Sequence, residues 1–312
     1  MKKEINNNNH KWFIVSDVHS FFNELKRSLY AAGFNSRNKN HTLIVIGDVF
    51  DRGDDTLRVF HFLSSMPKKR CILIRGNHER LFLDLLNKSF PDDYDFDNHT
   101  VDTFCQIAGY NPQVLSIKFW YEHAADKSGP YSAGHAVRSI WQDIRETVKE
   151  HPITQWLQSS QWRNYYELDR YIFCHSFLPT KLQEYDPDWR NASDARWEEA
   201  SWGDPIARYK SGLFWPESKK GKVLVVGHWH TGDFYYRISN HKSYDEPITD
   251  IWFGEDMIAI DGGVFKDYAT GKLVHPQNVL VIDSEDFAVC YNEYGRKLEP
   301  VPCLRKIETI TP

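Results

Sequence analysis

The chain has 312 residues, a formal net charge of −5 and 41% hydrophobic residues. This length suffices for one large α/β domain or two small ones with a sizeable core. The acidic balance argues against a general nucleic-acid-binding protein, which would present a basic face.

The five cysteines are odd in number and form no Cys-x-x-Cys pair, which predicts free thiols in a reducing compartment. The polar N-terminal residues lack the apolar stretch of a signal peptide. No apolar run approaches the about 20 residues that a membrane-spanning helix requires. We therefore expect a cytoplasmic protein that does not have a membrane as a partner.

Short apolar runs of about four residues predict buried β-strands. They lie at residues 13–16, 43–46, 71–74, 171–174 and 223–226. Segments with helical spacing follow the first three runs, at residues 21–32, 55–66 and 78–89. The first half therefore reads β-α-β-α-β-α, which is typical of an α/β sheet.

The remaining segments complete one predicted domain over residues 11–312, preceded by a disordered tail at residues 1–10. Residues 90–165 are predicted to form a largely helical insertion, with helices near 114–125 and 136–149. A tryptophan-rich segment at 186–216 is expected to be a long ordered loop that either packs or lines a substrate groove. After residue 223 the apolar runs predict hairpins.

Side chains that can bind metal follow each of the five predicted strands. They are Asp17 and His19, Asp48 and Asp51, Asn77 and His78, His175, and finally His228 and His230. Active sites of α/β sheets gather at the carboxyl ends of the strands, so we expect these side chains to meet. Asp, His and Asn without Cys favour Mn²⁺, Fe, Zn²⁺ or Co²⁺, and their number suits two ions.

In chain order, Asp-x-His, Gly-Asp-x-x-Asp-Arg-Gly, Gly-Asn-His-Glu, a lone His and Gly-His-x-His resemble the motifs of calcineurin-like metallophosphoesterases. The resemblance covers residues 12–90 and 150–265. The Asp-Arg-Gly and Gly-Asn-His-Glu forms are similar to the serine/threonine phosphoprotein phosphatase branch, of bacterial or phage type. The resemblance implies an α/β fold, a four-layer α/β/β/α sandwich with two metal ions at its loop edge, Mn²⁺ foremost.

The resemblance also implies a role for each motif residue. The first metal would take Asp17, His19, Asp48 and His230, and the second would take Asp48, Asn77, His175 and His228. His78 would be the general acid, oriented by Asp51. Arg52 would hold the phosphate, together with Asn77.

The implied reaction is phosphoester hydrolysis by a metal-bridging hydroxide, with a phosphomonoester such as phosphoserine or phosphothreonine on a protein as the favoured substrate. The first alternative is hydrolysis of a dinucleoside polyphosphate or a cyclic nucleotide. The second is a metal-binding protein without catalysis that recruits partners. His230 bears on this choice, because phosphoprotein phosphatases generally lack the second His of Gly-His-x-His, which marks many phosphodiesterases.

A few residues near the motifs depart from the family pattern or have more than one possible role. Ser20 stands where the family usually has Gly. Asp51 and Arg52 could instead pair with each other and cap the following helix. Glu79 is expected in the first turn of a helix rather than on a metal, and Arg75 could either reach phosphate or support its loop from behind.

Overall fold

The computed structural model describes residues 10–115, 133–239, 248–265, 275, 277–283, 288–291 and 297–298. The predicted N-terminal tail, except residue 10, and most of the helix expected at 114–125 lie outside these residues.

The strands of the described residues are numbered in chain order. They are β1 (Lys11–Val15), β2 (His41–Ile46), β3 (Cys71–Ile74), β4 (Trp162–Arg163), β5 (Tyr165–Glu167), β6 (Tyr171–Cys174), β7 (Thr180–Lys181), β8 (Glu184–Tyr185), β9 (Val223–Val226), β10 (Trp252–Phe253), β11 (Met257–Ala259), β12 (Val279–Asp283), β13 (Ala288–Tyr291) and β14 (Lys297–Leu298). All five strands predicted from the first apolar runs are confirmed, as β1, β2, β3, β6 and β9.

The α-helices are numbered in the same way. They are α1 (Phe22–Ala31), α2 (Thr56–Ser64), α3 (Asn77–Leu85), α4 (Asp93–Asp97), α5 (Thr100–Ala108), α6 (Ala133–Glu150), α7 (Pro152–Leu157), α8 (Asp194–Ser201), α9 (Pro205–Lys210), α10 (Trp215–Ser218) and α11 (Thr231–Arg237). Among the described helices, none is long and apolar enough to cross a membrane.

Two mixed sheets form the centre of the fold. The first has the order β14-β13-β12-β1-β2-β3-β4, and β1 to β4 run parallel in it. The second has the order β10-β11-β9-β6-β5, with β11, β9 and β6 parallel. Strands β7 and β8 form a separate hairpin.

Apolar residues on alternate sides of the strands build three separate core layers. Ile14, Ile44 and Ile74 of the first sheet pack with Phe173 and Val225 of the second. The opposite faces of the two sheets lie under helices, the first beneath α1 to α3 and α5 to α7 and the second beneath α8, α9 and α11. The predicted four-layer α/β/β/α sandwich is confirmed. Burial on both faces explains why the central strands are continuously apolar.

The tryptophan-rich segment differs from its prediction as a loop, because it folds into the short helices α8 to α10. Asp204 caps α9 by accepting from the Ala207 amide at 2.9 Å, and Pro205 occupies the first turn. Helices of four to eight residues are too short to show a hydrophobic period, so these capping residues were the only local signal.

Helices of the 90–165 region pack onto the outer face of the first sheet. Helix α6 confirms the helix predicted at 136–149. Trp141 of α6 stacks on Phe104 of α5, with ring centroids 5.6 Å apart, and both side chains are fully buried. This region therefore shares the hydrophobic core of the first sheet.

We predict that Trp141→Ala lowers the free energy of unfolding by about 3–5 kcal/mol, the usual range for removing a buried Trp. Among the described residues its indole nitrogen has no hydrogen-bond partner, so the loss reports packing. Denaturant unfolding measures the change. Trp215→Ala is the control, because that side chain is 60% exposed and its removal should change stability by less than about 0.5 kcal/mol. Equal losses in both variants would contradict the packing described for α5 and α6.

Candidate active site

The loops after the strands hold their polar residues in a strained backbone conformation. Asp17, His19, Asp48, Asp51 and His228 have φ between 47° and 74°. This left-handed region costs a non-glycine residue roughly 1–3 kcal/mol, and such strain clusters at functional sites. The five positions belong to three of the sequence motifs, so the strain is concentrated where the motifs are.

Backbone contacts join these loops to one another. The Asp17 amide donates to the Gly47 carbonyl at 3.2 Å, and the His19 amide donates to the Asp48 carbonyl at 2.9 Å. A Cβ atom at Gly76 would overlap the Asp48 carboxylate, which explains the glycine there. Ser20 has φ 59°, and its hydroxyl lies 2.9 Å from that of Thr56. The fold thus accommodates a serine at this turn.

Glu79 braces two of the loops. Its buried carboxylate accepts hydrogen bonds from the backbone amides of Asp48 at 3.0 Å, Val49 at 2.8 Å and Gly76 at 2.7 Å. Its predicted position in the first turn of a helix is confirmed by α3. Three bonds to one ionised group fix the backbone on both sides of the site. The sequence did not indicate that this side chain reaches back to the loop after β2.

Asp48 belongs to two groups of side chains that could each hold a metal ion. One group is His19, Asp48 and His78, the other is Asp48, His175 and His228, and the ligand atoms of each lie within 4.8 Å of one another. Asp48 Oδ2 lies 3.3 Å from His175 Nε2 and 4.0 Å from His19 Nε2. One carboxylate is therefore shared between two adjacent sets of ligands.

Backbone carbonyls orient two of these histidines. His19 Nδ1 donates to the Phe50 carbonyl and His175 Nδ1 donates to the Ile46 carbonyl, each at 2.9 Å. Each Nε2 atom is left to face Asp48, the arrangement that proteins use to fix histidine ligands. Asn77 lies beside the second group, with its Oδ1 2.8 Å from His175 Nε2.

The buried ionisable groups of the site favour a bound cation. Burial and the neighbouring Asp261 and Asp48 raise the pKa of Asp17 well above its usual value. Burial lowers the pKa of His175, but Asp48 and Asp17 outweigh it and raise that pKa to about 10. Burial and His175 lower the pKa of His228 to about 3, so that histidine is neutral and able to coordinate. Buried carboxylates beside histidine nitrogens fit a divalent cation.

Asp17 and His230 lie outside the two groups around Asp48. Asp17 Oδ2 accepts from the His228 amide at 3.0 Å, which places its carboxylate beside the loop of the second group. His230 is 52% exposed, its ring lies against Gly263, and its Nε2 is 4.0 Å from Asp261 Oδ2. No sequence motif pointed to Asp261, which follows β11 and is buried near Asp17.

A His–Asp pair lies next to the metal-binding groups. His78 Nδ1 donates to Asp51 Oδ2 at 2.6 Å, and Arg52 Nη2 lies 3.4 Å from His78 Nε2. Asp51 is completely buried and also accepts from the hydroxyls of Thr100 at 3.0 Å and Thr103 at 2.6 Å. The carboxylate of Asp51 is thus bonded to His78 and α5, whereas the guanidinium of Arg52 faces His78.

Arg75 supports the site from behind. Its Nη2 donates to the Leu157 carbonyl at the end of α7, at 3.2 Å. The contact favours the supporting role among the two that the sequence left open.

The sequence from residue 10 to residue 246 matches the family model of the calcineurin-like phosphoesterases. The chain belongs to this family of enzymes that hydrolyse phosphoesters, as its motifs predicted.

Individual relatives carry more specific names. A symmetrical bis(5'-nucleosyl)-tetraphosphatase of Coxiella burnetii is 24% identical over 242 residues, which cover 70% of this chain and 77% of that protein. A protein of the same name from Buchnera aphidicola is 37% identical over 67 residues, only 22% of this chain and 23% of that protein.

A similar solved structure is the cold-active protein-tyrosine phosphatase of a psychrophilic Shewanella species. It has a TM-score of 0.50 and 14% sequence identity, covering 93% of this chain and 80% of that one. Likeness at this identity extends to the fold alone.

Proposed function

We propose that this protein hydrolyses phosphoric ester or anhydride bonds with two divalent metal ions that share Asp48. The proposed ligands of the first ion are His19 and Asp48, together with Asp17 as the Asp-x-His motif implies, and those of the second ion are Asp48, Asn77, His175 and His228. The observation that carries the proposal is the buried Asp48 carboxylate, which belongs to both groups of candidate ligands. Mn²⁺ stays the favoured ion, and a cytoplasmic location stays a prediction from the cysteines.

Bound metal ions would lower the pKa of water and neutralise charge on the phosphoryl oxygens. The protein itself would supply the proton for the leaving group. Asp51 holds His78 through Nδ1, so that Nε2 faces the cluster and can carry the proton that moves to the departing oxygen as the P–O bond breaks. Arg52 lies next to that atom, where its guanidinium can bind the phosphate being released.

A dinucleoside polyphosphate is the substrate that we favour. The Coxiella burnetii relative named as a symmetrical bis(5'-nucleosyl)-tetraphosphatase matches most of this chain. The phosphomonoester expected from the Asp-Arg-Gly motif is the second candidate, since Arg52 contacts His78 and could hold a phosphate dianion. Turnover measured on diadenosine tetraphosphate, phosphoserine peptides and bis-p-nitrophenyl phosphate, with Mn²⁺ added, separates the two. The absence of turnover on all three with every divalent ion would refute the proposed function.

His78→Asn should lose activity most strongly on substrates with poor leaving groups. A positioned proton donor typically contributes 10²–10⁴-fold, and p-nitrophenolate needs less of it than an alkoxide. The measurement compares kcat for p-nitrophenyl and alkyl phosphates, with metal content checked in both proteins. His99→Asn is the control, because His99 forms a partly exposed pair with Asp102 at 2.8 Å. Equal losses on both substrates would remove His78 from the role of general acid.

His228→Ala should retain one tightly bound ion, whereas His230→Ala should retain both. The first variant removes a member of the Asp48 and His175 group, and the second alters a half-exposed side chain beside Asp261. Metal content after dialysis, measured by inorganic mass spectrometry, gives the stoichiometry. Loss of one ion from His230→Ala would return His230 to the first metal site, as the Gly-His-x-His motif predicts.

A further inference from the structure

Two exposed aromatic side chains lie beside the metal-binding groups. Trp202, which follows α8, is 39% exposed, and Tyr94 of α4 is 49% exposed. Their ring centroids are 6.0 Å apart. The Trp202 ring is also 6.1 Å from that of His228 and perpendicular to it. Trp202 and Tyr94 therefore form a solvent-exposed aromatic surface directly beside the candidate metal ligand His228.

The position of Trp202 is fixed relative to the metal-binding loops. The next residue, Gly203, accepts a hydrogen bond at 2.6 Å from the hydroxyl of Ser176, which directly follows His175. Gly203 also packs against the Arg208 guanidinium so closely that a Cβ atom would meet it at 2.7 Å. The Trp202 backbone is thereby tied to the loop that carries His175.

Packing within the protein covers this side chain only in part. Trp189 and Trp197 of the same segment are 0% and 4% exposed and belong to the core of the second sheet. Part of the Trp202 indole instead remains exposed to water. Burying apolar surface stabilises a protein or a complex by about 25 cal/mol per Å². A ligand that covers the exposed part of the ring would gain this favourable free energy on binding.

We propose that Trp202, with Tyr94 beside it, is a stacking surface for the base of a nucleotide whose phosphate lies at the Asp48 cluster. This inference rests on the proposed function and names the residues that would recognise its nucleoside substrate. Aromatic side chains stack on any base, because every base has a π-face. The surface would therefore favour nucleotides over simple phosphates without selecting one base.

The test compares ligands that differ by a nucleoside. Calorimetry measures the affinity of Mn²⁺-loaded protein for ADP and for pyrophosphate. Stacking on an aromatic side chain is worth about 1–3 kcal/mol per base, so Trp202→Ala should weaken ADP binding by about 5- to 150-fold. Pyrophosphate binding should not change. Trp202→Phe should keep most of the ADP affinity, and Trp215→Ala, which removes another exposed indole, should keep all of it.

Equal weakening of ADP and pyrophosphate in Trp202→Ala would overturn the stacking surface, and so would unchanged ADP affinity. A selective loss with phosphotyrosine peptides alone would overturn it as well, since the surface would then serve a peptide ring. None of these outcomes affects the proposed hydrolysis, which is tested by turnover of the unmodified protein.

A separate set of contacts carries a second inference. Thr103 of α5 accepts from the Asp51 amide at 3.0 Å and donates to Asp51 Oδ1 at 2.6 Å. Thr100 donates to Oδ2, the oxygen that also accepts from His78. Asp51, Thr100 and Thr103 are 0% exposed, and His78 is 2% exposed. Helix α5 thus fixes both the backbone and the carboxylate of Asp51.

We infer that Thr103 is a positioning residue that acts through Asp51 on His78. A rotated Asp51 carboxylate would no longer hold the imidazole with Nε2 toward the site. Hydrogen bonds to charged groups are worth roughly 1.5–3 kcal/mol, so Thr103→Val should lower kcat by between about 10- and 150-fold. The Michaelis constant should stay the same, and alkyl phosphates should suffer more than p-nitrophenyl phosphate.

Thr103→Ser keeps the hydroxyl and should restore most of the kcat. Thr154→Val is the matched control, because that buried threonine also lies in the 90–165 region but donates to the Val148 carbonyl, at 2.6 Å. The inference fails if Thr154→Val lowers kcat as much as Thr103→Val, if the serine variant is no better than valine, or if the loss is the same for both leaving groups.

Discussion

The site depends on the placement of one carboxylate, that of Asp48. The backbone around it is strained and is held there by Glu79, whose carboxylate takes the amides of Asp48, Val49 and Gly76. Asp48 Oδ1 in turn accepts from the His78 amide at 3.0 Å, which fixes the start of α3. Its other oxygen is left for the histidines of both sheets. Two half-sites on different sheets become one site because this single group is common to them.

The helical region at 90–165 also positions a residue of the site, namely Asp51. Its helices share the outer core of the first sheet, and α5 directs two threonines at Asp51. The carboxylate that orients His78 is therefore positioned by a segment without any of the family motifs. Packing of Phe104 against Trp141 and the hydrogen bonds to Asp51 involve the same helix, so the stability of this region and the geometry of the His–Asp pair are linked.

Local sequence patterns predicted the central strands and the motif residues at their ends. A strand buried on both faces is a short apolar run, and the polar residues that follow it are adjacent in the sequence. They could not predict Thr100, Thr103 or Asp261, since their contacts join residues from about 50 to more than 200 positions apart, at which no local period exists. The short helices α8 to α10 were not predicted either, because each is too short to show a periodic hydrophobic pattern. The Gly-His-x-His motif gives the order of its residues, whereas the half-exposed position of the His230 ring beside Asp261 is visible only in the structure.

We propose that Asp48 bridges two metal ions. Crystals of the protein grown with Mn²⁺ and measured at the manganese absorption edge test it most directly. We expect two anomalous peaks about 3.5–4 Å apart, the usual spacing of two-metal hydrolytic sites. One should lie against His19, the other against His175 and His228, and Asp48 should contact both. A single peak, or two peaks of which only one contacts Asp48, would contradict the account.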